Sequence, residues 1–117
     1  MISKGEAKIK SILLNNNIEF ETQKTFDSCR FSSTKALAKF DFYLPNLNVL
    51  IEYDGKQHFK ASNSGWNTEE NLKQTQERDA YKTQWCKDNN ITLIRIPYTD
   101  YTKLTAKYLL DLIKGVS

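Results

Sequence analysis

The chain has 117 residues and a net charge of +3, with two prolines and four glycines. That length sets one domain, residues 1–117, as the expectation, and so little proline and glycine excludes a low-complexity or linker-rich chain. No apolar run reaches the length of a membrane span, the N-terminus lacks the parts of a signal peptide, and the mild positive charge permits nucleic acid as a partner without requiring it. Cys29 and Cys86 lie far apart with no CxxC spacing, which predicts free thiols in a reducing, cytoplasmic compartment rather than a disulfide or a zinc site.

In chain order, residues 3–17 read as a helix. Ser3 is an N-cap with Glu6 at the capping-box spacing, Ile2, Ile9, Ile12 and Leu13 mark an apolar face, and Asn15, Asn16 and Asn17 end it. Glu6 shares that inward face, so two readings stay open: a capping acid, or a carboxylate aimed into a metal site from the edge of the core. Residues 18–26 alternate as a strand with one wet face, and 27–34 are a Ser-rich polar loop. A second strand runs from Ala36 to Leu44 and stops at Pro45. The turn Pro45-Asn46-Leu47-Asn48 makes an antiparallel hairpin with a third strand, Val49 to Asp54. Residues 60–70 read as a mobile loop in which Trp66 either covers the core or stacks on a nucleic-acid base.

A helix follows, starting within 69–78 and ending near Asn89. Its first half is polar, and its second half carries Ala80, Tyr81, Trp85 and Cys86. Residues 91–97 form a fourth strand apolar enough for burial on both faces, and Asp100 or Thr102 opens a last helix that Gly115 ends. The order helix, three strands, helix, strand, helix gives an α/β fold. Strands one to three form a meander, and the crossover helix allows strand four to add in parallel, so the four-stranded sheet is mixed and flanked by helices.

The chemistry gathers at the third strand. Glu52 and Asp54 point to one face, roughly 6–7 Å apart. Lys56, Gln57 and His58 follow at once, and Asp41 lies in the preceding apolar strand. Carboxylates leaving an apolar strand need water, a counter-charge or a metal. Asp41 and Glu52 on paired strands would clamp a divalent cation, while Lys56 or His58 orients or deprotonates water: a workable arrangement for phosphodiester hydrolysis. Taken singly, each has a plainer role. Asp41 would pair with Lys39 or Arg95, Asp54-Gly55 would be a turn, Lys56 a surface charge and His58 a structural histidine.

The segments Lys39-Phe40-Asp41-Phe42-Tyr43-Leu44-Pro45 and Val49 to His58, followed by Glu77-Arg78-Asp79 and Trp85 to Tyr98, resemble the PD-(D/E)XK nuclease superfamily. The similarity covers nearly the whole chain and is greatest to the small branch related to very-short-patch-repair endonucleases and phage homing-type nucleases. The resemblance implies a restriction-endonuclease-like core and a Mg²⁺-dependent DNA endonuclease or nickase (Mn²⁺ substituting), with no small-molecule cofactor. It implies metal ligands Asp41 and Glu52, with Asp54 as a further ligand or supporting acid, and it favours Glu6 as catalytic. Phe40 stands where the motif has proline, and Asp54 where it has lysine. The catalytic cation is then Lys56, or Gln57 and His58 replace it; in another frame, Asp54-Gly55-Lys56 is itself the motif. Expected nucleic-acid contacts are Lys8, Lys10, Lys56, Lys60, Trp66, Lys73 and Arg78. Double-stranded or branched DNA is the implied partner, with a homodimer where both strands are cut and a bacterial or phage-infected cell as the setting. Two alternatives accompany this reading: a structure-selective junction nuclease, and an inactive DNA-binding module on the same fold.

Overall fold

Ser3 opens the first helix as the sequence leads one to expect, its hydroxyl accepting from the Glu6 N–H at 3.2 Å. This helix, α1, spans Lys4–Asn15 and ends on Asn16, after which Asn17 turns left-handed at φ 54°. The computed structural model describes residues 3–56, 59 and 68–116. Strands β1 (Glu21–Lys24), β2 (Phe40–Leu44) and β3 (Val49–Asp54) form the antiparallel meander, and β4 (Thr92–Pro97) joins β3 in parallel. The sheet order is β1-β2-β3-β4, so β3 is central. Helix α2 (Glu69–Asp88) makes the crossover, and α3 (Ala106–Val116) closes the chain.

The sheet separates two cores. On one face Ile9, Ile12 and Leu13 of α1, with Leu104, Leu109 and Ile113, pack on Phe42, Leu44, Val49, Ile51, Ile94 and Ile96. On the other, Cys86 of α2 packs with Cys29, Ala38, Phe40 and Leu50, flanked by Phe26, Tyr81 and Trp85. Both cysteines are free and buried in this second core, as their spacing predicts. The polar first half of α2 is helical from Glu69. Thr68 caps it by accepting from the Asn71 N–H, and Glu69 and Glu70 sit at the positive end of the helix dipole.

The boundaries of three elements, β1, β2 and α3, differ from the sequence reading. β1 is confined to four residues, and β2 begins at Phe40, because residues 36–39 turn away to form the Arg30↔Leu37 bridge. β4 meets both cores: Ile94 and Ile96 are buried toward α1, while on the other face Leu93 packs half-buried against the second core beside the half-buried Arg95. Residues 98–103 form a 3₁₀ turn, so α3 starts at Ala106, with the Thr105 hydroxyl accepting from the Tyr108 N–H. Ile2 and most of the expected 60–70 loop lie outside the described residues.

Candidate active site

β2 and β3 separate where the acids stand. Their paired residues run from Leu44↔Val49 to Phe42↔Ile51. Beyond that point, side chains replace backbone partners. The Tyr53 N–H donates to Asp41 Oδ2 at 2.8 Å, and the Asp41 N–H donates to Glu52 Oε2 at 3.4 Å. β2 meanwhile stays with β1 through Lys24↔Phe40, and β3 stays with β4 to Asp54↔Pro97. The seam between the middle strands thus opens into a fork. Gln23, lying between the paired positions Thr22↔Phe42 and Lys24↔Phe40, is left-handed at φ 51°. Phe40 and Phe42, two residues apart, consequently pack into different cores, with Asp41 at the boundary.

Helix α1 approaches the fork through Gly5. A Cβ at that position would overlap the ring of Tyr53, so only glycine lets the helix lie this close to β3. The next residue, Glu6, lines a cavity of about 70 Å³ with Lys10, Thr22, Gln23, Asp41 and Phe42, which is room for ordered water. Three carboxyls act on one another here. Burial, then the charge of Glu52 and a hydrogen bond to it, then the charge of Glu6, push Asp41 up to about 8 against the opposing Tyr53 N–H. Burial and then the charge of Glu52 also raise Glu6. The Glu6 N–H serves the Ser3 cap, and its carboxyl lies close enough to the fork to interact with Glu52.

The cation at Glu52 comes from α2. Lys82, 9% exposed, ion-pairs with Glu52 Oε1, donates to the Lys39 carbonyl at 2.6 Å, and lies 4.7 Å over the Phe40 ring. Glu52 itself is 5% exposed. Sequence reasoning looked for the cation in the strand frame, at Lys56 or with Gln57 and His58 in its place, and not on α2; Lys56 is exposed. The overlooked signal is helical spacing: Lys82 lies one turn before Cys86, on the stripe that docks against the sheet.

Asp54 is oriented differently from Asp41. Arg95 Nη1 donates to both Asp54 oxygens, at 3.0 and 3.3 Å, while Nη2 donates to the Asp79 carbonyl. The acid expected as a third ligand is therefore engaged by Arg95, which joins β3, β4 and α2. Among the expected phosphate contacts, Lys8 is turned inward, donating to the Tyr101 carbonyl at 2.8 Å and lying over its ring. Lys10 reaches the small cavity, Lys73 is exposed on α2, and Arg78 lies 4.8 Å over the Phe31 ring. Gln57, His58, Lys60 and Trp66 lie outside the described residues.

Asp41 and Glu52 supply the oxygen donors that hard cations prefer, and Mg²⁺ usually takes only one or two carboxylates and keeps several waters. A cation bound here would compete with the proton that burial and the neighbouring charges favour on Asp41. Among the described residues, no three of His, Cys, Asp or Glu stand together as a metal-binding group, so any metal here would complete its shell with water or substrate oxygen. A larger depression of about 580 Å³, lined by residues including Phe26, Asn48, Trp85 and Ile91, lies at the opposite end of β3 and away from these acids.

No family model matches the chain. It is similar to viral proteins. Over 61 residues it is 41% identical to uncharacterized protein 307L of Invertebrate iridescent virus 6 and 33% identical to uncharacterized protein 033L of Invertebrate iridescent virus 3; each match takes in 52% of this chain and 31% of the relative. Over 103 residues it is 32% identical to uncharacterized protein 094L of Frog virus 3, taking in 83% of this chain and 63% of the relative. The chain thus spans about a third of the length of the first two relatives and under two thirds of the third.

Proposed function

We propose that this chain is a divalent-metal-dependent DNA endonuclease or nickase with a restriction-endonuclease-like core. Asp41 and Glu52 would hold Mg²⁺ or Mn²⁺, Glu6 would support the metal's water from α1, and Lys82 would take the place of the motif lysine. The observation that carries this reading is the fork: three carboxyls from three elements act on one another there, and a buried lysine from a fourth ion-pairs with one of them.

A bound metal would polarise the phosphodiester and acidify a coordinated water. The chain's own groups do the rest. Asp41, whose carboxyl is pushed up to about 8 by burial and by the neighbouring charges, would give up its proton to hold the metal. Lys82, fixed by the Lys39 carbonyl and Glu52, presents positive charge where negative charge builds on the phosphate. Arg95, by holding Asp54 and Asp79, keeps α2 in register with β3 so that Lys82 reaches Glu52.

The test is cleavage of supercoiled plasmid in Mg²⁺ and Mn²⁺ by the wild type and by Asp41→Ala, Glu52→Ala and Lys82→Ala, each checked for folding by circular dichroism. The wild type should cleave, and each folded variant should lose on the order of 100-fold or more. Activity surviving Asp41→Ala and Glu52→Ala would remove the metal clamp. Open circles would report one site acting alone; linear product would call for two symmetric copies, a homodimer. Mismatched, flapped and four-way DNA separate a junction-selective nuclease from a general one.

A second reading, a DNA-binding module without hydrolysis, is favoured by the ion pair that already occupies Glu52 and by the lack of a three-residue metal group among the described residues. DNA binding without cleavage of any of these substrates in either metal would establish it. Because the relatives come from viruses of invertebrates and of a frog, the setting we propose is the virus-infected cell rather than a bacterium.

A further inference from the structure

Residues 27–39 are polar at their centre, yet they are held firmly. Arg30 donates from Nε to the Asp27 carbonyl at 3.1 Å and from Nη1 to the Lys35 carbonyl at 3.0 Å. Its backbone pairs with Leu37, and its N–H donates to the Tyr81 hydroxyl on α2. Lys35 is held left-handed at φ 63°, a conformation unfavourable for a lysine. The core gains little from these exposed bonds. What they fix is a wall facing α2.

Between that wall and α2 lie two cavities of about 350 and 360 Å³ that share Phe31 and Arg78. The second is lined by Lys39, Arg78, Asp79 and Lys82, so it opens onto the proposed catalytic lysine. The first continues outward past Ser32, Ser33 and Gln74. At the junction the half-buried Arg78 guanidinium lies 4.8 Å from the Phe31 ring centroid, and Tyr81 supports Phe31 from 5.6 Å. A guanidinium held against an aromatic ring offers its other plane to a base. Each cavity has the volume of a site for a small molecule such as a nucleotide.

We propose that this cleft binds unpaired DNA next to the scissile phosphate, with a base stacked on the Phe31–Arg78 platform and Lys39 on the adjoining phosphate. This rests on the nuclease reading for its direction toward Lys82. It does not need cleavage to be observed.

The test is binding of a fluorescent single-stranded oligonucleotide, and of its duplex, in Ca²⁺, measured by anisotropy at several salt concentrations. Wild type is compared with Phe31→Leu, Arg78→Lys and Lys39→Gln, each with its melting temperature measured. The single strand should bind more tightly than the duplex. Phe31→Leu and Arg78→Lys should each weaken it roughly tenfold, because lysine keeps the charge but loses the stacking plane. Lys39→Gln should flatten the slope of log Kd against log salt by about 0.7. Wild-type affinity in a folded Arg78→Lys, equal loss of duplex and single-strand binding, or no single-strand binding by the wild type would overturn the proposal. Plasmid cleavage by the wild type, assayed beside Asp41→Ala, separates the two conclusions: single-strand binding by a wild type that cuts no plasmid leaves the cleft standing and removes the nuclease, whereas cleavage lost in Asp41→Ala with binding retained supports both.

Discussion

At Asp41 burial and the charges of Glu52 and Glu6 act together against ionisation. Its folded value of about 8 stands well above its ordinary 3.8. The native state therefore keeps a proton that the unfolded chain has already released, and stability falls as pH rises through that window. The metal-free protein should lose melting temperature between about pH 5 and 8, and Asp41→Asn should flatten the slope; a wild-type melting temperature independent of pH in this range would contradict the carboxyl cluster. Lys82 illustrates why such a residue escapes a reading of sequence. Asp41 and Glu52 declare themselves as charges inside apolar strands. A lysine on a polar helix does not, and its partners Lys39 and Glu52 lie 43 and 30 residues away.

At the scale of elements, the fork depends on how closely α1 lies against β3, and Gly5 sets that approach. Gly5→Ala raises helix propensity by roughly 1 kcal/mol, yet it places a methyl group where the Tyr53 ring now lies. Overpacking of this kind costs about 1–3 kcal/mol, so the net change should be destabilising. The helix should move outward and take Glu6 with it, so metal-dependent cleavage should fall by more than the stability loss explains. Urea denaturation and plasmid cleavage together check this; a more stable Gly5→Ala with full activity would show that α1 does not set the fork. The hairpin, the crossover and the Ser3 cap were legible because each is written in adjacent residues: Pro45 to Asn48, the run from Glu69 to Asp88, and Ser3 with Glu6. The start of α3 was not. Leu104 has helical spacing to Tyr108 but serves the core from outside the helix, so the apolar pattern begins before the helix does.

Over the whole molecule, the sheet separates two cores, and the proposed metal site would couple cation binding to the stability of both. β3 carries Ile51 toward the α1 and α3 core, and Leu50 toward the α2 core. A cation bound at Asp41 and Glu52 would relieve repulsion between β2 and β3, where Phe40 and Phe42 enter different cores. Mg²⁺ or Mn²⁺ should therefore stabilise the entire domain in a concentration-dependent way, by about 2.7 kcal/mol at a hundredfold excess over Kd, and so raise its melting temperature. Asp41→Ala should abolish that response, and scanning calorimetry with Na⁺ as the control measures it. The α2 core carries one more consequence. Cys29 and Cys86 are both sealed within it, and burial raises both thiols, Cys86 to about 11. Neither thiol is poised to react while α2 is seated. The native chain thus contains its own clock: the rate at which an alkylating reagent consumes these two sulfurs counts how often the helix bearing Lys82 lifts from the sheet.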